Sequence, residues 1–525
     1  MIVAFGLEGH RDSGSPRTGT TVLQGSSIFA NMKFLSTLTA GLLAAGHAAA
    51  APNKAVDACL NSKKVPASYP GDSDYDELAE PFNLRLQYKP AAIVLPETNK
   101  HVQDAVVCAS QSGLKVQAKS GGHSYASFSS GGKNGSLIID LQPLQNIELD
   151  KTTNVAKVGG GVRLGNLAQG VWDQGKRAIS HGTCPGVGIG GHFTHGGYGH
   201  TSRNWGIALD HIVGLDVVTA DGKLLHATAT ENKELFWALR GAAESFGIVT
   251  NFYLRTQAAP EKVTYFQFQW ADTLFKNKKA FTDTFLHIQT FSQNASVVDN
   301  RISYGIYLDG NTTYNLGGTF FGTGAEFNKT IQPEFLRGTA PPTKIVVQEY
   351  EWIPYLILMS DKTDIREPLT GYDEHDTFFA KSITVPEADG GLTATTLNAF
   401  WDYISKPAPY SYFVIINLYG GPGSAINTKD TKFAAYNDRD SLWVFQNYGI
   451  NPTSLNYING INDVIIKSQP QTHFGAYLNY VDPSYSAKEA HELYYGEELY
   501  SKLATLKKKY DPKQVFWMPQ AIGVN

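Results

Sequence analysis

The chain of 525 residues is poor in cysteine, with three, and poor in charge, with 18% Asp, Glu, Lys and Arg. Lysines and arginines number 44 against 48 acids, a formal net charge of -4, so there is no basic surplus. That speaks against nucleic acid or an anionic membrane as partner, because both require a basic face. After the first fifty residues no stretch approaches the ~20 apolar residues that a membrane-spanning helix needs. Internal repeats, low-complexity tracts and flexible linkers are also missing, so the parts of the chain are expected to pack closely, with any ligand site between them. Nothing in the chain calls for a metal ion, and a monomer is expected. No G-x-G-x-x-G run opens a helix after a strand, so the usual dinucleotide fold is not indicated. What remains is 42% hydrophobic, an ordinary folded composition with length enough for two cores.

The N-terminus reads as processing sequence. Residues 1–31 are polar and aperiodic and form an upstream extension before Met32. Residues 32–51 read as a secretory signal: Lys33, an apolar run from Phe34 to Ala45, then small residues to Ala51. An extracellular protein is therefore expected. Sequons begin at Asn134, Asn294, Asn311 and Asn328 and fit a glycosylating route. In an oxidising compartment two of the three cysteines can pair. Cys59 and Cys108 are the better candidates, one near the mature N-terminus and one on an apparent helix. Cys184 is then left over, in the glycine-rich HGTCPGVGIGGH, either as an inert buried thiol or as a thiol beside a ligand.

Periodicity divides the rest. Residues 88–255 alternate short strands (AAIVLP, GLKVQAKSG, LIIDL, VAKVGGG) with helices (NKHVQDAVVCASQS, LGNLAQGVWDQG) and a hairpin turning at Asp221-Gly222. This is an α+β, nucleotide-binding texture. From about 260 to 475, runs such as VTYFQFQW, ISYGIYL and YFVIINLYGG predict an antiparallel sheet backed by helices. The end carries GAYLNYVDPS and a helical stretch over 487–512. The 27 Tyr, 27 Phe and 8 Trp could line a carbohydrate cleft or simply fill a large core.

Two glycine loops carry the chemical signal, Lys119-Ser-Gly-Gly-His-Ser-Tyr125 and Gly186-Val-Gly-Ile-Gly-Gly-His-Phe-Thr-His-Gly-Gly-Tyr-Gly199. Without side chains, successive backbone N–H groups can converge on phosphate oxygens. His123 sits in the first loop and Cys184 precedes the second. With ELFWALRG, SLWVFQ and YLNY, this ordered set resembles the vanillyl-alcohol oxidase superfamily, in particular its berberine-bridge-like flavoenzymes, and among them the fungal gluco- and chito-oligosaccharide oxidases. The resemblance runs from about Cys59 to the C-terminus.

It implies an FAD-binding domain over 52–258 of the superfamily's PCMH type, a substrate domain over 259–475, and a segment over 476–525 returning to the first domain. FAD would be attached through His123 to the 8-methyl carbon and through Cys184 to C6. Gly121, Gly122, Ser124, Tyr125, Gly188, Gly190, Gly191, His192, Gly196, Gly197, Ile248, Tyr477 and Asn479 would hold the cofactor. Tyr480 would be the base, and Tyr125, Thr183, Tyr198 and Gln446 would meet the substrate. The implied reaction is oxidation of a sugar's reducing-end C1 hydroxyl to a lactone, with dioxygen reduced to hydrogen peroxide. The chain departs from the pattern at Asn417, where the family has a carboxylate, at Ile415, where it has glutamine, and near Tyr307 or Leu308, where it has glutamate. These changes leave the activation of Tyr480 open, with Asn417 as a hydrogen-bond partner of the phenolate one route. They also keep an oxidase or oxidative cyclase of secondary metabolism, with the same doubly attached flavin, as the alternative. A third reading, a secreted sugar-binding protein that holds flavin structurally or has lost it, would require a colourless or redox-silent protein.

Overall fold

The computed structural model describes residues 54–371, 375–451 and 453–523; the extension and signal lie outside them. The first secondary-structure signals translate directly. Helix Asn99–Gln111 is capped by Thr98, whose hydroxyl accepts from the His101 N–H at 3.2 Å. It buries Val102, Ala105, Val106, Cys108 and Ala109, and the turn after it uses Gly113 at φ 71°. Cys108 on that helix forms a disulfide with Cys59 (Cα–Cα 5.6 Å), tying it to helix Lys54–Ser62. Cys184 stands outside the disulfide.

Two sheets build the N-terminal part. Strands Ala92–Val94, Leu137–Asp140 and Val116–Lys119 lie parallel, with the short Ala67–Ser68 antiparallel at one edge. The second sheet is antiparallel and five-stranded, in the order Ile147–Asp150, Val155–Gly159, Ile248–Arg255, Ile212–Val218, Leu224–Thr228. Its last pair is the hairpin turning at Asp221-Gly222.

The next part is one seven-stranded antiparallel sheet, in the order Lys344–Glu351, Lys262–Gln269, Tyr314–Phe320, Ile302–Asp309, Ser411–Leu418, Ser441–Ile450, Phe378–Pro386. Side chains on a strand alternate between faces. One parity, Ile306, Leu308, Val414, Ile416 and Phe445, is buried in a core with residues of helices Lys278–Ser292, Ala394–Ile404 and Leu455–Ser468. The other parity, Tyr307, Phe413, Ile415, Asn417, Gln446 and Tyr448, turns toward the N-terminal part. Register sets Tyr307 opposite Ile415 and Ile415 opposite Gln446. Leu308 thus belongs to the helix-side core, and of the two positions only Tyr307 can face a ligand.

The C-terminal helical stretch divides in two, Ala487–Tyr494 and Gly496–Tyr510, because Gly496 takes φ 68° and ends the first run. The second helix packs beside Lys233–Ala242, and the buried Lys507 reaches Asp511 at 2.7 Å and the carbonyl of Ser245. The C-terminal segment therefore rests on the N-terminal part of the chain.

Candidate active site

The two glycine loops meet back to back. A β-carbon on Gly121 would lie 2.2 Å from the Gly188 nitrogen, and one on Gly188 would lie 2.0 Å from the Gly121 nitrogen. Only glycine allows that approach. Ser120 fastens the join, donating to the Gly160 carbonyl at 2.6 Å and accepting from the Gly190 N–H at 3.1 Å. Nothing lies within 4 Å of a β-carbon built on Gly191, so the backbone there borders open space.

That space is a cavity between the N-terminal part and the large sheet. Its wall includes Gly121, Gly122, His123, Ser124, Tyr125, Thr183, Cys184, Gly188, Gly191, His192, Tyr198, Asn417, Gln446, Tyr477, Asn479 and Tyr480. Sequence reasoning named all of these. Four other expected cofactor residues do not line it. Ile248 begins a central strand and packs with Val116, Leu141 and Val218. Gly190 backs onto Ser120, and Gly196 and Gly197, at φ 120° and 84°, shape the turn behind the wall. Their contribution is to the backbone path: the Gly197 and Tyr198 N–H groups both donate to the Tyr477 hydroxyl at 3.0 Å.

Several side chains are held rigidly. The His123 ring stacks on Phe82, centroids 4.3 Å apart. Tyr480 ends a short turn, Leu478–Tyr480, lying parallel to Tyr125 at 5.7 Å and edge-on to Tyr477 at 4.9 Å. Both flanks of that turn are tied to strand Phe378–Pro386. The Tyr477 N–H donates to the Ser382 hydroxyl at 2.9 Å, and Lys381 donates to buried Asp482 at 2.6 Å. Asn479 donates to the carbonyls of His192 and His195. The Gln446 amide donates to the Tyr125 hydroxyl at 2.7 Å. Among the described residues no hydrogen bond joins Asn417 to Tyr480; the Asn417 amide occupies room that Gly305 leaves, where a β-carbon would come within 2.7 Å of it.

Burial sets the protonation states. It raises the Tyr480 phenol well above its ordinary value, with the neighbouring Tyr125, Tyr477 and Cys184 adding to the effect. Tyr125 is raised in the same way. Burial lowers His192 to about 3 and His200 to about 4, so both rings are neutral.

Sequence reasoning missed one charged pair. On the cavity wall, His195 Nε2 contacts a Glu244 carboxylate oxygen at 2.5 Å while its Nδ1 lies 2.9 Å from the Gly191 carbonyl. Both ring nitrogens face acceptors, the arrangement of an imidazolium. Burial alone would lower His195 and raise Glu244, but each partner overrides this, leaving His195 raised and Glu244 lowered. His195 stood in the second loop as read; nothing in the sequence linked it to Glu244. A raised histidine stabilises below its unfolded pKa and loses that contribution as pH rises through the folded value. A lowered carboxylate contributes above its unfolded pKa and loses it as pH falls through the folded value. The pair is therefore strongest near pH 5–6. Glu244→Gln is expected to cost about 3 kcal/mol there, with the gap in Tm to the parent closing toward alkaline pH in calorimetric scans. Parallel Tm-against-pH curves would show that the pair is not charged.

Glutamate 244 is the only carboxylate among the residues lining the cavity, and it is neutralised. The glycine cradle and the open space at Gly191 fit the phosphates of a dinucleotide, and the same cavity is walled by Tyr480, Tyr125 and Asn417.

Comparison with known proteins agrees with this geometry. Residues 90–228 match the model of an FAD binding domain, and residues 476–523 match the family described as berberine and berberine-like. The chain belongs to that family of FAD-binding proteins. It is 37% identical over 505 residues to a carbohydrate oxidase of Microdochium nivale, an alignment covering 94% of this chain and 99% of that protein. A chitooligosaccharide oxidase of Gibberella zeae is 35% identical, covering 93% and 98%. The solved structure of a xylooligosaccharide oxidase from Myceliophthora thermophila C1 in complex with xylobiose superimposes with a TM-score of 0.84 at 35% identity, covering 90% of this chain and 99% of that one.

Proposed function

We propose that the protein is a secreted oligosaccharide oxidase that converts the reducing-end C1 hydroxyl of a neutral sugar to a lactone, which hydrolyses to the aldonic acid, with dioxygen reduced to hydrogen peroxide. The observation that carries this reading is Tyr480, a phenol clamped between two aromatic rings on the wall of the cavity that the glycine loops border, among uncharged hydrogen-bonding groups. Relatives over nearly the whole chain are oxidases of carbohydrate, xylo- and chitooligosaccharides. The four sequon asparagines Asn134, Asn294, Asn311 and Asn328 are all exposed, as glycosylation requires, which supports export.

His123 and Cys184 would each carry a bond to the flavin, while the loops around Gly121 and Gly188 receive its phosphates. FAD, when bound, supplies the acceptor for the C1 hydride and passes the electrons to dioxygen. Tyr480 takes the proton from the C1 hydroxyl as that carbon loses hydride, so the sugar loses two electrons and two hydrogens overall. The Gln446 amide donates to the Tyr125 oxygen, which leaves the Tyr125 proton for a sugar oxygen. Tyr198, Thr183 and Asn417 offer further neutral contacts, and Ile415 makes this part of the wall less polar than a carboxylate-lined cleft.

The test is peroxide release across reducing oligosaccharides of glucose, xylose and N-acetylglucosamine, their alditols, and benzylic alcohols. Release is expected only with reducing sugars. Because Tyr480 acts as a base only when ionised and is raised by burial, kcat/KM is expected to climb from pH 6 through the alkaline range. Release with benzylic alcohols and none with sugars would replace this reading by an oxidase of secondary metabolism.

A further inference from the structure

A second concavity, sharing no residue with the first, lies among helix Lys233–Ala242, the ends of the antiparallel strands, the 432–433 loop and the last helix. It is open, about 960 Å³ in volume, and lined by Lys233, Arg240, Arg255, Lys432 and Lys502. Its two acids are already neutralised by other cations: Asp210 is held by Arg439 through two contacts of 2.6 and 3.0 Å, and Glu234 by Lys509 at 2.7 Å. Among the described residues, none of the five lining cations forms an ion pair with a carboxylate. In a chain whose net charge is -4, such a collection is a local feature and not a reflection of composition.

The groove is also built. Arg240 is only 6% exposed. Its guanidinium lies 3.9 Å from the Phe236 ring centroid and 4.4 Å from that of Phe433, and it donates to the Phe433 carbonyl at 2.6 Å. Lys502 sits 3.6 Å over the Trp237 ring. A fixed buried cation is thus surrounded by four exposed ones, and the half-buried Phe433 offers an apolar surface beside them.

We propose that this groove binds a carboxylated polysaccharide, a polyuronate chain, and holds the enzyme on it away from the catalytic cavity. The repeated carboxylates of such a chain complement in charge the five cations gathered in the groove. The choice of a polysaccharide over other polyanions rests on the oxidase reading above.

The experiment is affinity electrophoresis of the flavin-loaded protein through native gels containing polygalacturonate or neutral arabinoxylan, with double-stranded DNA and phosphatidylserine vesicles as parallel ligands. The parent is expected to be retarded by polygalacturonate at low salt, and not by arabinoxylan, DNA or vesicles. Lys233→Glu/Lys432→Glu/Lys502→Glu is expected to weaken binding roughly tenfold or more, since each contact releases counterions. A control with the same change in net charge, Lys276→Glu/Lys279→Glu/Lys467→Glu, is expected to keep it. No retardation, equal loss in both triple variants, or equal binding of DNA or vesicles would overturn the proposal. Because the gel reads binding and not turnover, a protein that binds polygalacturonate yet oxidises no sugar would sink the oxidase reading and leave the groove standing.

Discussion

Tyr480→Phe is expected to lower kcat for a reducing sugar by about 10³-fold, with KM changed only a few-fold and the yellow chromophore retained. That loss corresponds to ~4 kcal/mol of transition-state stabilisation. The argument rests on what the substitution spares. Phenylalanine keeps the stack on Tyr125 and the edge contact with Tyr477. It also leaves the Ser382 and Asp482 anchors on either side untouched. Only the oxygen that would take the proton disappears. A fall in kcat/KM of less than about tenfold would move the base elsewhere, and Asn417, an amide, could not replace it.

The second large effect concerns colour. Acid-precipitated wild-type protein and each of His123→Ala and Cys184→Ala are expected to keep flavin in the pellet, and the double variant to release it all. Both side chains lie on the wall of one cavity, on loops pressed together at Gly121 and Gly188. Tyr125 and Tyr480 line the same cavity, and Cys184 adds to the rise of both phenols. Flavin that washes out of the wild-type pellet would remove both attachments from the proposed function.

Much of the fold was legible because local chemistry and tertiary structure agree. The period of two in Lys262–Gln269 and the helical period of Asn99–Gln111 survive into the structure because neither depends on distant residues. Sheet order was not legible. Tyr307 faces Ile415 only because strands far apart in sequence lie side by side, and no local pattern encodes that choice. The His195–Glu244 pair was hidden for the same reason: the histidine belongs to a loop and the glutamate to the turn after a helix, and their meeting is a product of folding. Resemblance assigned Ile248 to the cofactor, whereas its side chain packs in the core, since a motif specifies a stretch of backbone more firmly than the direction of each side chain.

The cavity draws its two glycine loops from the first half of the chain and Tyr477, Asn479 and Tyr480 from the last fifty residues. During synthesis the cradle emerges from the ribosome well before the phenol that would work in it. On the proposed reading, a chain interrupted before residue 476 could gather its early loops but would lack the proton-accepting phenol, so that oxidation would begin only once the last fifty residues were in place. Order of emergence thus acts as a safeguard written into chain topology.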